Sequence, residues 1–178
     1  MTASPSSPHI TLACAAALTG LSLRTWQRRA EGGQVPRLDD ASGRGLVPLQ
    51  ALMDALPPAW GDEDTQTLLD ADQGGAAAQA DMGARFATAA LVADNGADAA
   101  RNARVALYFL ARAADQGEAD AMHWMGLLSA AGLDEAGGNP QQTQARALAL
   151  VAQAAAQGHG IARGQLQALL ANGLTAHG

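Results

Sequence analysis

The sequence predicts an all-α protein, with a small, winged helix-turn-helix head followed by a short α-solenoid of paired helices. Three observations predict it. Apolar residues make up 48% of the 178-residue chain but aromatics only 3%, so the buried surface must come mainly from alanine and leucine. Alanine has the highest helix propensity and a small side chain, which favours closely packed helices over sheets. The arginines before Pro58 gather around a stretch with the grammar of two helices and a turn, and beyond Pro58 a glycine-centred pattern recurs.

Along the chain, "MTASPSSPH" (Met1 to His9) reads as a loose tail. The apolar-leaning run from Ile10 to Leu23 has no Lys or Arg ahead of it and is too short to span a bilayer. The chain is therefore expected to be soluble and cytoplasmic. An alanine-rich first helix is expected from about Thr11 to Leu18, a turn at Thr19-Gly20-Leu21, and a second helix capped by Ser22. In that second helix Trp26 points inward with Leu12, Ala16 and Leu21. Arg24, Thr25, Gln27 and Arg28 face outward, where base edges and phosphates are reached. "VPRLDDASGRGLVPLQALMDAL" then reads as extended chain, turn, extended chain and a short helix.

Pro57-Pro58 followed by "WGDED" marks the expected boundary between a domain at 10–58 and one at 62–178. Two prolines stop a helix, and Asp62, Glu63 and Asp64 place carboxylates in the first turn of the next. Past it, "ADQGGAAAQADMG" (Ala71 to Gly83) and "ADQGEADAMHWMG" (Ala114 to Gly126) match, and "AAQGHGIARGQL" (Ala155 to Leu166) follows in weaker form. Gly74 and Gly117 stand 43 residues apart, Gly117 and Gly158 41 apart. Four residues after each glycine comes Ala78, Ala121 or Ala162, and eight after comes Met82, Met125 or Leu166. "ALYFLARAADQG" from Ala106 likewise aligns with "ALALVAQAAAQG" from Ala147. Each unit is thus a helix, a tight glycine turn and a second helix, a period that signifies an α-solenoid.

At these residues the chain resembles the Sel-like repeat family, relatives of the tetratricopeptide repeats, most closely in "AADQGEADAMHWMGLLSAAG" (Ala113 to Gly132). The resemblance covers about Asp62 to Gly173. It departs at Ala89, where the family has glycine, and at Gln167, which replaces the glycine of the Met-Gly pair. It implies an adaptor scaffold that receives a protein or peptide partner. From Ile10 to Leu56 the chain resembles the DNA-binding head of MerR-type regulators and phage excisionases. Ala16, Leu18, Thr19, Gly20, Leu21, Ser22, Arg24 and Thr25 fit that motif, followed by a wing at Gly43-Arg44 and a helix opened by Val47-Pro48. This second resemblance implies major-groove contacts from Arg24, Thr25, Gln27 and Arg28, and phosphate contacts from Arg37 and Arg44.

Charge bears on both readings. The net charge of −6 argues against uniform coating of nucleic acid or an anionic membrane. Through Pro58 the chain carries five Arg against four acids, and after it six Arg against thirteen. There is no lysine, so every positive side chain is a guanidinium suited to planar contacts. Yet Asp39-Asp40 lies where a wing would approach phosphate, so a docking module that does not bind DNA stays open as the alternative.

Catalytic chemistry finds little support. No lysine is present for a P-loop, and "GHGIARG" (Gly158 to Gly164) lacks dinucleotide-binding spacing. His9, His123, His159 and His177 are scattered, with no paired ligand spacing, so no metal or other cofactor is expected. Cys14, the single cysteine, excludes an internal disulfide and reads as a small buried residue. Tyr108, Phe109, Trp124 and Met125 form the one bulky cluster of the repeats, by default core. Tyr108, Arg112, His123 and Trp124 are the candidates for partner contact. The expectation is a non-enzymatic regulator or adaptor, its head on DNA and its repeats on a protein partner. A pure interaction scaffold is the alternative, and with so few repeats a second copy of the chain is one way to cap the exposed end.

Overall fold

The computed structural model describes residues 7–57, 59–134 and 139–175, with side chains described as far as Ala171. The chain is mostly helical, with eight α-helices, one 3-10 helix and one three-stranded sheet among the described residues. It divides into two compact units, Met1–Gln73 and Gly74–Gly178.

In the first unit, β1 (His9–Thr11) leads directly into α1 (Leu12–Thr19), and α2 (Leu23–Glu31) follows a short turn. β2 (Leu38–Asp39) and β3 (Gly45–Pro48) come next, then a 3-10 helix over Leu49–Ala55 and α3 (Asp62–Asp72). The sheet is antiparallel in the order β1-β3-β2, with Ile10 opposite Val47 and Leu38 opposite Leu46. Strand β1 was not expected. His9, at the end of the expected loose tail, pairs with Pro48, and the Leu49 N–H donates to the Pro8 carbonyl at 2.8 Å. Residues 1–6 of that tail lie outside the described residues.

The sheet and helices close over Ile10, Leu18, Trp26, Val47 and Leu68, all nearly inaccessible. Trp26 is the largest of them, 1% exposed, and its indole N–H donates to Thr19 Oγ1 at 3.0 Å. Burying so large a ring with its one polar atom satisfied fixes α2 against α1. Ser22 caps α2 as expected, its hydroxyl accepting from the Thr25 N–H at 3.1 Å.

α3 belongs to this first unit, so the compact units part after Gln73 and not at Pro57-Pro58 (Pro58 itself lies outside the described residues). Besides buried Leu68, a carboxylate joins α3 to that unit. Thr11 caps α1, and Asp72 at the end of α3 accepts from both the Thr11 N–H, at 2.7 Å, and its hydroxyl, at 2.6 Å. A charge-assisted pair of this kind ties α3 to the start of α1.

The second unit consists of α4 (Ala76–Leu91), α5 (Gly96–Asp115), α6 (Ala119–Ala130), α7 (Pro140–Ala156) and α8 (Gly160–Thr175). Its turns repeat. Gly117 and Gly158 have φ of 91° and 98°, in the left-handed region where a side chain is strained. The following N–H groups, of Glu118 and His159, donate back to the carbonyls of Ala113 and Ala154 at 3.1 and 3.0 Å. These are helix-ending motifs of the Schellman type.

The closest packing joins α4 to α5 and α6 to α7. Both crossings use the second glycine of the repeat. A Cβ on Gly83 would stand 2.5 Å from Leu110 Cγ, and one on Gly126 3.1 Å from Val151 Cγ2 and 3.3 Å from the Ala147 carbonyl oxygen. Gly83 and Gly126 are 43 residues apart, Leu110 and Val151 41 apart, so one contact is built twice.

Gly83→Ala therefore loses stability despite the better helix propensity of alanine. Overpacking costs about 1–3 kcal/mol against a propensity gain of up to about 1. Gly164→Ala, where the added Cβ meets nothing within 4 Å, gains up to about 1 kcal/mol. Thermal denaturation of the two variants should move the midpoint in opposite directions.

Candidate functional site

In the first unit the exposed face of α2 is its most distinctive surface. Arg24, Gln27, Arg28 and Glu31 line a shallow concavity of about 410 Å³. Arg24, Gln27 and Arg28 are exposed, whereas Thr25 is half-buried with its hydroxyl 2.9 Å from Ser22 Oγ at the cap. Among the described residues neither the Arg24 nor the Arg28 guanidinium has an ion-pair or hydrogen-bond partner. Arg29 is used differently, lying 5.5 Å from the Trp26 ring centroid as a cation–π cover.

The other two arginines named for this face are engaged with carboxylates. Arg37 donates through Nε and Nη2 to Asp39 Oδ1 at 3.0 and 2.9 Å. Arg44 Nε meets Asp40 Oδ2 at 2.7 Å. Asp40 also accepts from the hydroxyl and N–H of Ser42, at 2.7 and 2.8 Å, and from the Arg44 N–H at 2.9 Å. The Ser42 hydroxyl foremost, with the Arg44 N–H, holds this carboxyl far below the usual carboxylate range. Asp40 thus shapes the β2–β3 turn; it does more than dilute positive charge.

In the second unit, Arg112 stacks on Tyr108, 3.6 Å from the ring centroid, and donates to the Tyr108 carbonyl at 2.7 Å. Tyr108 meets Phe109 edge-on at 4.9 Å. Phe109 is fully buried, while Tyr108, Trp124 and Met125 are half-buried. Cys14, in the first unit, is fully buried.

His123 does not stand free on the surface. It is 7% exposed, donates from Nε2 to Gln165 Oε1 at 3.0 Å, and stacks on His159 with centroids 4.3 Å apart. The expectation of unrelated histidines fails for this pair, which folding brings together across α6 and α8. Burial foremost, with the neighbouring His159, pushes the His123 imidazole below its ordinary 6.5. His9 lies in β1, and His177 lies outside the described residues. Among the described residues no three His, Cys, Asp or Glu side chains are grouped to hold a metal.

The sequence reading missed a groove over α7. Its apolar part, about 490 Å³, is lined by Leu127 of α6, Ala147, Leu148 and Val151 of α7, and Gln165 and Leu169 of α8, among others. A second part, about 600 Å³, shares Ala130, Gln144 and Ala147 and reaches Pro140. None of the lining residues is charged, and Leu148 and Leu169 are 44% and 56% exposed. The signal was present in the repeat. Gln165 and Ala168 stand where Trp124 and Leu127 stand one period earlier, and exposed Gln144 stands where buried Ala103 does. Smaller or polar side chains thus stand around the groove where Trp124, Leu127 and Ala103 stand one period earlier.

Beside the groove, Asp134 ties α6 to α7. It accepts from Arg146 Nε at 3.0 Å and from the buried Ser129 hydroxyl at 2.7 Å. The Arg146 guanidinium, helped by that hydroxyl, holds Asp134 below its usual 3.8 despite opposing burial. A lowered carboxyl stabilises the fold above the unfolded value and ceases to do so as pH falls through the folded one. Arg146→Ala should thus cost about 1–3 kcal/mol near neutrality. Acid titration of thermal stability should show that deficit shrinking as pH drops below about 4.

No described helix is long and apolar enough to cross a membrane. Comparison of the chain with protein-family models, curated proteins and solved structures returns no match.

Proposed function

We propose that the protein is a non-enzymatic, DNA-tethered adaptor. α1 and α2 act as a helix-turn-helix whose second helix enters the major groove. The second unit acts as a short solenoid of Sel-like helix pairs that receives a protein partner. The observation that carries the DNA reading is the face of α2. A helix held by Trp26 and capped by Ser22 offers Arg24, Gln27 and Arg28 to solvent, with both arginines uncommitted among the described residues. Arginine and glutamine at neighbouring helical positions are suited to guanine and adenine edges in the major groove. The reading of a partner on the repeats is supported by the uncharged groove over α7 and the Tyr108–Arg112 stack. Their chemistry suits a peptide that inserts apolar side chains and carries no charge into the groove.

A second reading has its own support. Arg37 and Arg44, which would reach phosphates from the wing, are already held by Asp39 and Asp40. A head with only α2 to offer would serve as a protein-docking module, making the chain a scaffold without DNA.

The two readings separate on intact chain mixed with labelled duplex DNA fragments and followed by fluorescence anisotropy. The DNA reading expects binding that weakens steeply with salt, and an Arg24→Ala/Arg28→Ala variant that binds at least tenfold more weakly. Asp39→Asn should tighten binding by freeing Arg37. Absence of binding by folded wild-type chain at low salt leaves the docking reading.

A further inference from the structure

The second unit carries a group of polar side chains that neither DNA contact nor the groove accounts for. Asp120 and His123 belong to α6, His159 precedes α8, and Gln165 belongs to α8. His159 Nδ1 accepts from the Ala162 N–H at 3.0 Å, so this imidazole serves as the N-terminal cap of α8. Its Nε2 lies 3.2 Å from Asp120 Oδ1. The two contacts together fix the neutral tautomer, with the proton on Nε2 donated to Asp120 and a lone pair on Nδ1. His123, stacked on the same ring, bridges to α8 through Gln165.

A proton arriving here has no good place. On His159 Nδ1 it replaces the lone pair that caps α8 with a donor facing another donor. On His123 it creates a cation in a largely buried site, against a ring 4.3 Å away, and this burial outweighs the support that the Gln165 bond and Asp120 give the charged form. The charged groups acting on His123 are His159 and Asp120, and none from α5 or α7 is among them. Asp120 is the only carboxylate of the group and is 74% exposed, so it cannot neutralise two imidazolium ions.

We propose that the His123–His159 pair is a proton-operated latch that holds α8 on α6 when neutral and releases α8 when protonated. The direction follows from linkage. The folded chain binds a proton on His123 more weakly than the unfolded chain, so the latch is fully effective above about 6.5 and is lost as pH falls below it. Release is local because α4 to α6 are held by contacts that no histidine joins, including Gly83 against Leu110.

The test is hydrogen exchange of the intact chain at about pH 7.5 and about pH 5.5, corrected for the intrinsic pH dependence of exchange. Protection of α8 amides should fall on the order of tenfold at the lower pH while α5 amides keep theirs. In His123→Gln/His159→Asn, whose amides keep a donor for Gln165 and a cap for α8 at either pH, α8 protection should stay constant. Equal pH dependence of α8 in wild type and this variant overturns the proposal, as does an α8 indifferent to pH in wild type. Should the variant not fold, histidine NMR titration of the wild type decides. His123 titrating below 6.5, with α8 amide shifts following that step, supports the latch, and an ordinary His123 titration that leaves α8 unmoved refutes it.

Discussion

Helices that lack large side chains must come close together to exclude water, and both units of this protein are organised by that requirement. With aromatics at 3% of the chain, the second unit builds its interior by bringing backbones into near contact. Gly83 and Gly126 leave no room for a Cβ without displacing a neighbour, each facing a branched side chain one helix later. Dispersion contacts are individually small and fall away rapidly with separation, so this proximity is what makes an alanine-rich interior cohesive. The first unit adds one indole ring to the aliphatic side chains of Ile10, Leu18, Val47 and Leu68. Trp26 fills the space that a small, mixed unit could not close with alanine, and its position sets the direction in which α2 presents its arginines.

The open groove follows from a failure of the same packing device. One repeat carries Trp124 and Leu127, and the next carries Gln165 and Ala168 at the same register. Loss of volume on α8 leaves α7 partly uncovered, with Leu148 in solvent. Gln165 is used instead to reach His123. Gln165 in place of tryptophan thus contributes to the open surface and also creates a polar link between α6 and α8, which places the proposed partner site and the proposed latch on neighbouring parts of the same two helices.

What could be read from the sequence was local. Ser22 caps α2 and Trp26 turns inward because both signals lie within a few residues of the elements they control. Gly117 and Gly158 end their helices because the left-handed turn is a property of glycine itself. Long-range pairing was not legible. β1 has only three residues, too few for alternation to show, and it exists because β3 offers it an edge. Asp72 reads as one more acid on a helix surface, and nothing near it announces Thr11 as its partner 61 residues away. His123 and His159 are likewise joined only by folding. The pairing of Arg37 and Arg44 with Asp39 and Asp40 was half legible, since the carboxylates were seen as unfavourable to phosphate but not as the organisers of the turn.

The proposed contact with DNA rests on the exposed face of α2. Backbone NMR of the intact chain, titrated with a mixed-sequence duplex at low salt, tests it residue by residue. Contact through α2 gathers the shifts on residues 23–31 and on the turn at residues 40–44, and added salt reverses them. Shifts confined to the second unit, or none in a folded chain, would contradict it.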